Sequence, residues 1–192
     1  MNKIGIFFGT DTGTTRLIAK KMAKKLGAEI AAKPLNVNRT ETDTLMSYEA
    51  LIVGTPTYGI DQLPGIDTGI KVGSWEEFLP QLAGQDLSGK RVALYGLGNQ
   101  DKYTERFADS LIHLYRFFTE HGAEIIGQWS TEGYEFEHSQ SVVDGAFVGL
   151  VLDQQNQALL TEQRIDTWLT QIKPALMEKL DTGAALNAAQ TA

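Results

Sequence analysis

The chain has 192 residues, no cysteine and a formal net charge of −7. Such a length suits one domain that buries about 70% of its unfolded surface, and the lack of thiols excludes disulfides, thiolate catalysis and cysteine-ligated metals or clusters. No apolar run approaches the roughly 18 residues of a membrane span, and the N-terminus opens into a strand with no signal-peptide shape, so a soluble cytoplasmic protein is expected.

In chain order, residues 3–8 are an apolar run that reads as a buried strand. The next seven residues hold Gly9, Thr10, Asp11, Thr12, Gly13, Thr14 and Thr15, and a helical pattern of Leu17, Ile18, Met22, Ala23 and Leu26 follows until Gly27 stops it. Five basic residues on that helix (Arg16, Lys20, Lys21, Lys24, Lys25) read as a solvated face. Residues 1–40 carry eight Lys/Arg against two Asp/Glu, whereas residues 41–192 carry nine against twenty-two. The acidic remainder argues against nucleic acid and for a basic protein partner.

Pro34 limits the strand pattern of residues 29–37 to a short one, and a brief helix near residues 43–47 leads to the strand 50–53. Residues 60–74 are rich in Gly and Pro and predict an extended surface loop; residues 75–82 predict a helix and 91–95 a strand. The pattern then predicts a long helix over 103–121 and a strand starting at 125. About twenty polar and aromatic residues without a period follow, and the strand resumes over 146–152. A final helix is expected over 162–180, with a disordered tail over 181–192.

Strands alternating with helices imply an α/β fold, a doubly wound parallel sheet of five strands in the order 2-1-3-4-5 with helices on both faces. Ligands of such sheets sit beyond the carboxyl ends of the strands, where the winding reverses. The loops after strands one, three and four should therefore meet. The first, from Thr10 to Thr15, offers backbone amides, hydroxyls and a helix N-terminus, the makings of a phosphate cradle. It lacks the Gly-Lys-Ser/Thr of a Walker loop and the spacing of a dinucleotide fingerprint, so it suits one terminal phosphate monoester; an ordinary turn capping a helix remains the plain alternative. The other two loops carry Thr55, Pro56, Thr57, Tyr58 and Gly59, and Leu97, Gly98, Asn99 and Tyr103. Two tyrosines beside a phosphate cradle describe a pocket for a flat aromatic ligand with a phosphorylated tail, and flavin mononucleotide (FMN) has that shape.

Over residues 2–180 the chain resembles a long-chain flavodoxin. Thr10, Thr12, Gly13 and Thr15 match the T-x-T-G-x-T phosphate motif; residues 54–59 match the loop over the inner flavin face; residues 96–103 match the loop whose tyrosine covers the outer face. Residues 134–137 and 143–145 resemble the insertion that interrupts the fifth strand of that class, and residues 60–78, ending in Ser74-Trp75-Glu76-Glu77-Phe78, resemble the flavodoxins associated with nitrogen fixation. Two departures are Tyr58, where many members have Trp, and Asn99, at a position that is usually acidic.

The resemblance implies a monomeric one-electron carrier that shuttles FMN between semiquinone and hydroquinone. Its donor would be a flavodoxin reductase or oxidoreductase and its acceptor the nitrogenase iron protein, with no substrate, metal, nucleic acid or membrane of its own. It also implies a backbone flip at the Gly59–Ile60 peptide. The rival reading is an FMN-dependent NAD(P)H or quinone reductase of the same fold, which would need an open outer face where Tyr103 stands. His113, His121 and His138 show no ligand spacing and read as structural or surface residues.

Overall fold

The computed structural model describes residues 3–9, 13–58 and 60–190, the last eight of these by backbone alone. In chain order the elements are β1 (Gly5–Phe8), α1 (Thr14–Leu26), β2 (Leu35–Asn36), α2 (Thr42–Met46), β3 (Ala50–Pro56), α3 (Trp75–Leu82), β4 (Arg91–Gly98), α4 (Leu111–Glu120) and β5 (Glu124–Ile126). There follow β6 (Trp129–Ser130), β7 (Val142–Val143), β8 (Ala146–Phe147), β9 (Leu150–Asp153) and α5 (Thr161–Gln190).

The main sheet is parallel, in the expected order β2-β1-β3-β4-β5, and β9 also pairs with β4. The fifth strand is thus one strand in two pieces: β5 lies against Arg91–Ala93 and β9 against Tyr95–Gly98. Side chains alternate across the pleat. Phe7, Val53 and Leu94 face α3 and α4 with Trp75, Phe78, Leu111 and Phe118, while Ile6, Ile52 and Ala93 face α1 and α5 with Ile18, Met22, Trp168 and Ile172. Both faces are covered, which is why the central strands read as continuous apolar runs.

The interruption is bracketed by two crowded glycines. At Gly127, where the chain leaves the sheet, φ is +81° and a Cβ would lie 2.6 Å from Ile172 Cγ2; the Trp168 indole donates to the Gly127 carbonyl at 2.7 Å. At Gly149, where it returns, a Cβ would lie 2.2 Å from the Leu94 carbonyl oxygen. The inserted residues form a small antiparallel sheet, β6-β8-β7, in place of the structureless stretch expected there. Its strands are two residues each, too short to show a period in the sequence. Tyr134, Phe136 and Phe147 pack against Phe107 with ring centroids 5.3–5.9 Å apart. The run 146–152 therefore divides, its first two residues belonging to the small sheet and its last three to the main one.

Two other boundaries differ from expectation. The helix predicted over 103–121 begins only at Leu111. Phe107 is extended and Ala108 takes φ +54°, because Phe107 is drawn into the insertion, its N–H donating to His138 O and its carbonyl accepting from Ser139 Oγ. The last helix runs on to Gln190, past residue 180. The basic face of α1 is partly paired with α5, Lys21 with Glu162 and Lys25 with Glu162 (3.1 Å) and Asp166 (2.7 Å). No helix among the described residues is long and apolar enough to cross a membrane.

Gly149→Ala should cost about 3 kcal/mol of stability, because its Cβ meets backbone that cannot move without unpairing β9 from β4. Urea unfolding measures this, and a loss under about 0.5 kcal/mol would show that the strand reseats around the methyl group.

Candidate functional site

The carboxyl ends of β1, β3 and β4 lie side by side, and one carbonyl joins the first two to α3. Gly54 O accepts the Gly9 N–H at 3.1 Å and the Trp75 indole N–H at 2.9 Å. A Cβ on Gly9 would lie 2.4 Å from both Trp75 Cδ1 and Ser74 Oγ, so only glycine lets the first loop leave β1 across the indole. Trp75 is fully buried, as a core residue should be, and its indole shares the Gly54 carbonyl at the end of β3 with the first loop.

Thr10, Asp11 and Thr12 lie outside the described residues, as does Gly59. Gly13 takes φ +89° and caps the start of α1, with open space where a Cβ would stand. Thr14 is the first helical residue and Thr15 is wholly buried. The Tyr95 hydroxyl donates to Thr15 O at 3.0 Å, and burial pushes that hydroxyl far above its usual titration range, so it stays a donor. Thr15 Oγ1 is buried with no hydrogen-bond partner among the described residues, and the buried Ser74 Oγ accepts the Glu77 N–H in the capping box of α3, which leaves its own O–H free to donate. A buried hydroxyl left unpaired costs about 1–3 kcal/mol; Ser74 Oγ lies against Gly9, and Thr15 stands in the first turn of α1. Two spare hydroxyls beside a helix N-terminus fit a phosphate, whose oxygens accept such donors.

The second and third loops run side by side because Thr55 pairs with Gly96 and Pro56 with Leu97. They enclose two adjoining hollows. One, of about 160 Å³, is lined by Pro56, Thr57, Leu97, Gly98, Asn99, Tyr103, Arg106 and Ala108. The other, of about 250 Å³, is lined by Thr57, Tyr58, Tyr103 and Arg106. The structure thus brings Tyr58 and Tyr103 to one cavity, as expected, and adds Arg106. Thr55 points its hydroxyl at its neighbour's carbonyl (Pro56 O, 2.9 Å) and lines neither hollow.

Tyr58 and Gln62 exchange backbone hydrogen bonds at 3.1 and 3.0 Å, so the chain turns back between them, with Asp61 at φ +58°. The start of α4 and the insertion hold this turn. Ser110 Oγ donates to Gln62 O, His113 Nε2 donates to Asp61 O at 2.6 Å, and Gln140 Nε2 bridges Asp61 Oδ2 and Asp109 Oδ2 at 3.2 Å each. Burial, and after it the Asp61 carboxylate, push the Asp109 carboxyl upward against the opposing Gln140 hydrogen bonds. The 60–74 segment is likewise tied down: Glu77 accepts Ile66 N–H at 2.8 Å and Ser74 N–H at 2.6 Å.

On the other side Asp153, at the end of β9, is almost wholly buried and accepts from Gln100 N, Gln155 N, Asn156 N and Asn156 Nδ2 at 2.8–3.0 Å. It locks the turn after β4 onto the last loop. Asn99 does the same from its side, its Oδ1 accepting from Lys102 N and Asn156 Nδ2 and its carbonyl from Tyr103 N–H, each at 3.0 Å. Asp153, Gln140 and Ser110 carry no local signal in the sequence; each matters through a partner more than thirty residues away. Another hollow, of about 780 Å³, lies outside this site, between the 60–63 segment, α3 and α4.

The family model described as flavodoxin matches residues 6–168. The flavodoxin of Klebsiella pneumoniae is 49% identical over 177 residues, spanning 92% of this chain and all of that protein. The flavodoxin of Synechocystis sp. is 38% identical, over 92% of this chain and 99% of its own. The crystal structure of Fusobacterium nucleatum flavodoxin bound to flavin mononucleotide superimposes with a TM-score of 0.81 at 34% identity, covering 90% of this chain and 98% of that one. With its fifth strand interrupted by a folded insertion, this chain belongs to the flavodoxin family, in its long-chain class.

Proposed function

We propose that residues 1–180 form an FMN-binding domain that carries single electrons between redox proteins. The observation that carries this is the shared cavity of Tyr58 and Tyr103 beside a helix start with unspent hydroxyls. The phosphate would lie on Thr10, Asp11, Thr12, Gly13, Thr14 and Thr15, and the ring against Thr55, Pro56, Thr57, Tyr58, Gly59, Leu97, Gly98, Asn99 and Tyr103. Bound FMN supplies the redox chemistry, taking and giving electrons one at a time; the chain positions it.

Neutral donors and the positive end of the α1 dipole hold the doubly charged phosphate without a lysine in the loop. Tyr58 and Tyr103 keep water from the ring, which raises the cost of negative charge between them and favours a low potential for the second electron. With Asp61 and Gln62 clamped, the Gly59–Ile60 peptide is where a backbone flip would occur, since glycine tolerates φ of either sign. Such a rotation would let a backbone carbonyl accept a hydrogen bond from an N–H of the ring. Tyr103 over the outer face argues against a nicotinamide or quinone stacking there, and so for a carrier over a reductase.

A reductase protein as donor and the nitrogenase iron protein as acceptor are the finer reading, supported by the resemblance of residues 60–78. The acidic excess of residues 41–192 suits brief, charge-steered docking in the cytoplasm, with rates that fall as salt rises.

Apoprotein mixed with FMN should quench its fluorescence. Thr15→Val should weaken that binding about tenfold, near 1.4 kcal/mol, while leaving apoprotein stability unchanged or slightly higher, since the lost hydroxyl had no partner. Equal affinity in the variant would remove Thr15 from the phosphate site. In an anaerobic dithionite titration the holoprotein should pass through a blue one-electron-reduced stage and stay oxidised with NADPH alone. Direct two-electron bleaching by NADPH would make it a reductase.

A further inference from the structure

We infer that Arg106 forms a cationic third wall of the tyrosine cavity and selectively stabilises the negative charge that a bound flavin gains with its second electron. The inference rests on the FMN reading above. Arg106 borders both hollows and is the one charged side chain lining either of them among the described residues. Its guanidinium carbon lies 5.6 Å from the centroid of the Tyr103 ring, a cation–π distance. No carboxylate among the described residues pairs with it, so its charge is not spent elsewhere.

Its position is fixed rather than chosen by a loose surface chain. Arg106 N–H donates to Tyr103 O at 3.2 Å within a single 3-10 turn. The next residue, Phe107, is fully buried, with its N–H on His138 O at 3.1 Å and its carbonyl on Ser139 Oγ at 2.6 Å. The insertion therefore anchors the backbone from which Arg106 reaches the cavity. Lys102 also approaches Tyr103, with Nζ 5.2 Å from the ring centroid, but it is exposed and lines neither hollow, so solvent screens it.

The two electrons differ in charge. On the FMN reading the first electron would arrive with a proton from solvent and leave the ring neutral, whereas the second would arrive alone and leave a negative charge for a nearby cation to meet. A half-buried cation at the edge of the cavity acts on the second step and hardly on the first. At the effective dielectric of such a site one unit charge shifts the second equilibrium by about tenfold. Arg106 thus opposes the tyrosine walls and limits how strongly reducing the carrier becomes.

The test is a spectroelectrochemical titration of the FMN-loaded protein and of its Arg106→Gln and Arg106→Lys variants, with potentials followed from pH 5 to 9. Arg106→Gln should lower the second potential by about 59 mV, the equivalent of tenfold for one electron, and change the first by less than twofold. It should also raise by about one unit the pH at which the fully reduced flavin takes up its proton, and Arg106→Lys should restore most of both effects. Equal shifts of both potentials, no shift, or a Lys variant that behaves like Gln would overturn the inference. If Arg106→Gln does not fold, Arg106→Met, which keeps an aliphatic stem over Tyr103, makes the same measurement. Failure of the unaltered protein to bind FMN would overturn the proposed function, and this inference with it; normal binding with potentials indifferent to Arg106 would overturn the inference alone.

Discussion

The carbonyl of Gly54 is the joint on which the site depends. Its oxygen takes one hydrogen bond from the first loop, through Gly9, and one from the third helix, through the Trp75 indole. Both donors reach it only because neither glycine has a side chain: a Cβ on Gly54 would lie 1.9 Å from the Tyr95 ring, and one on Gly9 would strike Trp75. Tyr95 in turn reaches Thr15 in the first turn of α1. The end of β1, the start of α1, an indole and a buried phenol are thus held together, and such rigidity suits the anion site proposed there, where neutral donors would act without a countercharge.

The insertion in the fifth strand is part of the same construction. It leaves the sheet at Gly127, builds a small aromatic core around Phe107, and returns at Gly149. Through Gln140 it reaches the turn that follows Tyr58, and through Phe107 it sets the backbone beside Tyr103. Both tyrosines of the cavity are therefore backed by the same inserted segment. The aromatic residues of this segment, Tyr134 and Phe136, are largely spent inward; burial pushes the Tyr134 hydroxyl up to about 12, and it donates to Val151 O at 2.5 Å.

Charge is arranged by space rather than by sequence. The basic N-terminal stretch and the acidic remainder look like separate regions along the chain, yet Lys21 and Lys25 of α1 meet Glu162 and Asp166 of α5. Exposed pairs of this kind contribute little stability, but they leave the acidic excess elsewhere on the surface. Against that background Arg106 is an exception, a cation turned toward the cavity.

The elements with strong periodicity were legible from residues alone: the buried strands, α1, α3 and the order of the sheet follow from alternation, glycine stops and the handedness of strand–helix–strand crossovers. So was the meeting of the first, third and fourth loops, because a doubly wound sheet brings those ends together whatever the loops contain. The start of α4 was not, since Tyr103 to Leu111 keeps an apolar spacing that suits a helix while Phe107 gains more by packing into the insertion. Nor were Asp153, Gln140 or Arg106, whose partners lie far along the chain or, for Arg106, in the shape of a cavity. Sequence alone determined which loops meet and what donors and rings they carry, because local pattern and chain topology suffice for that. Tertiary structure decided which of those groups are free, clamped or charged at the site, because hydrogen bonds and burial depend on contacts that no local pattern records.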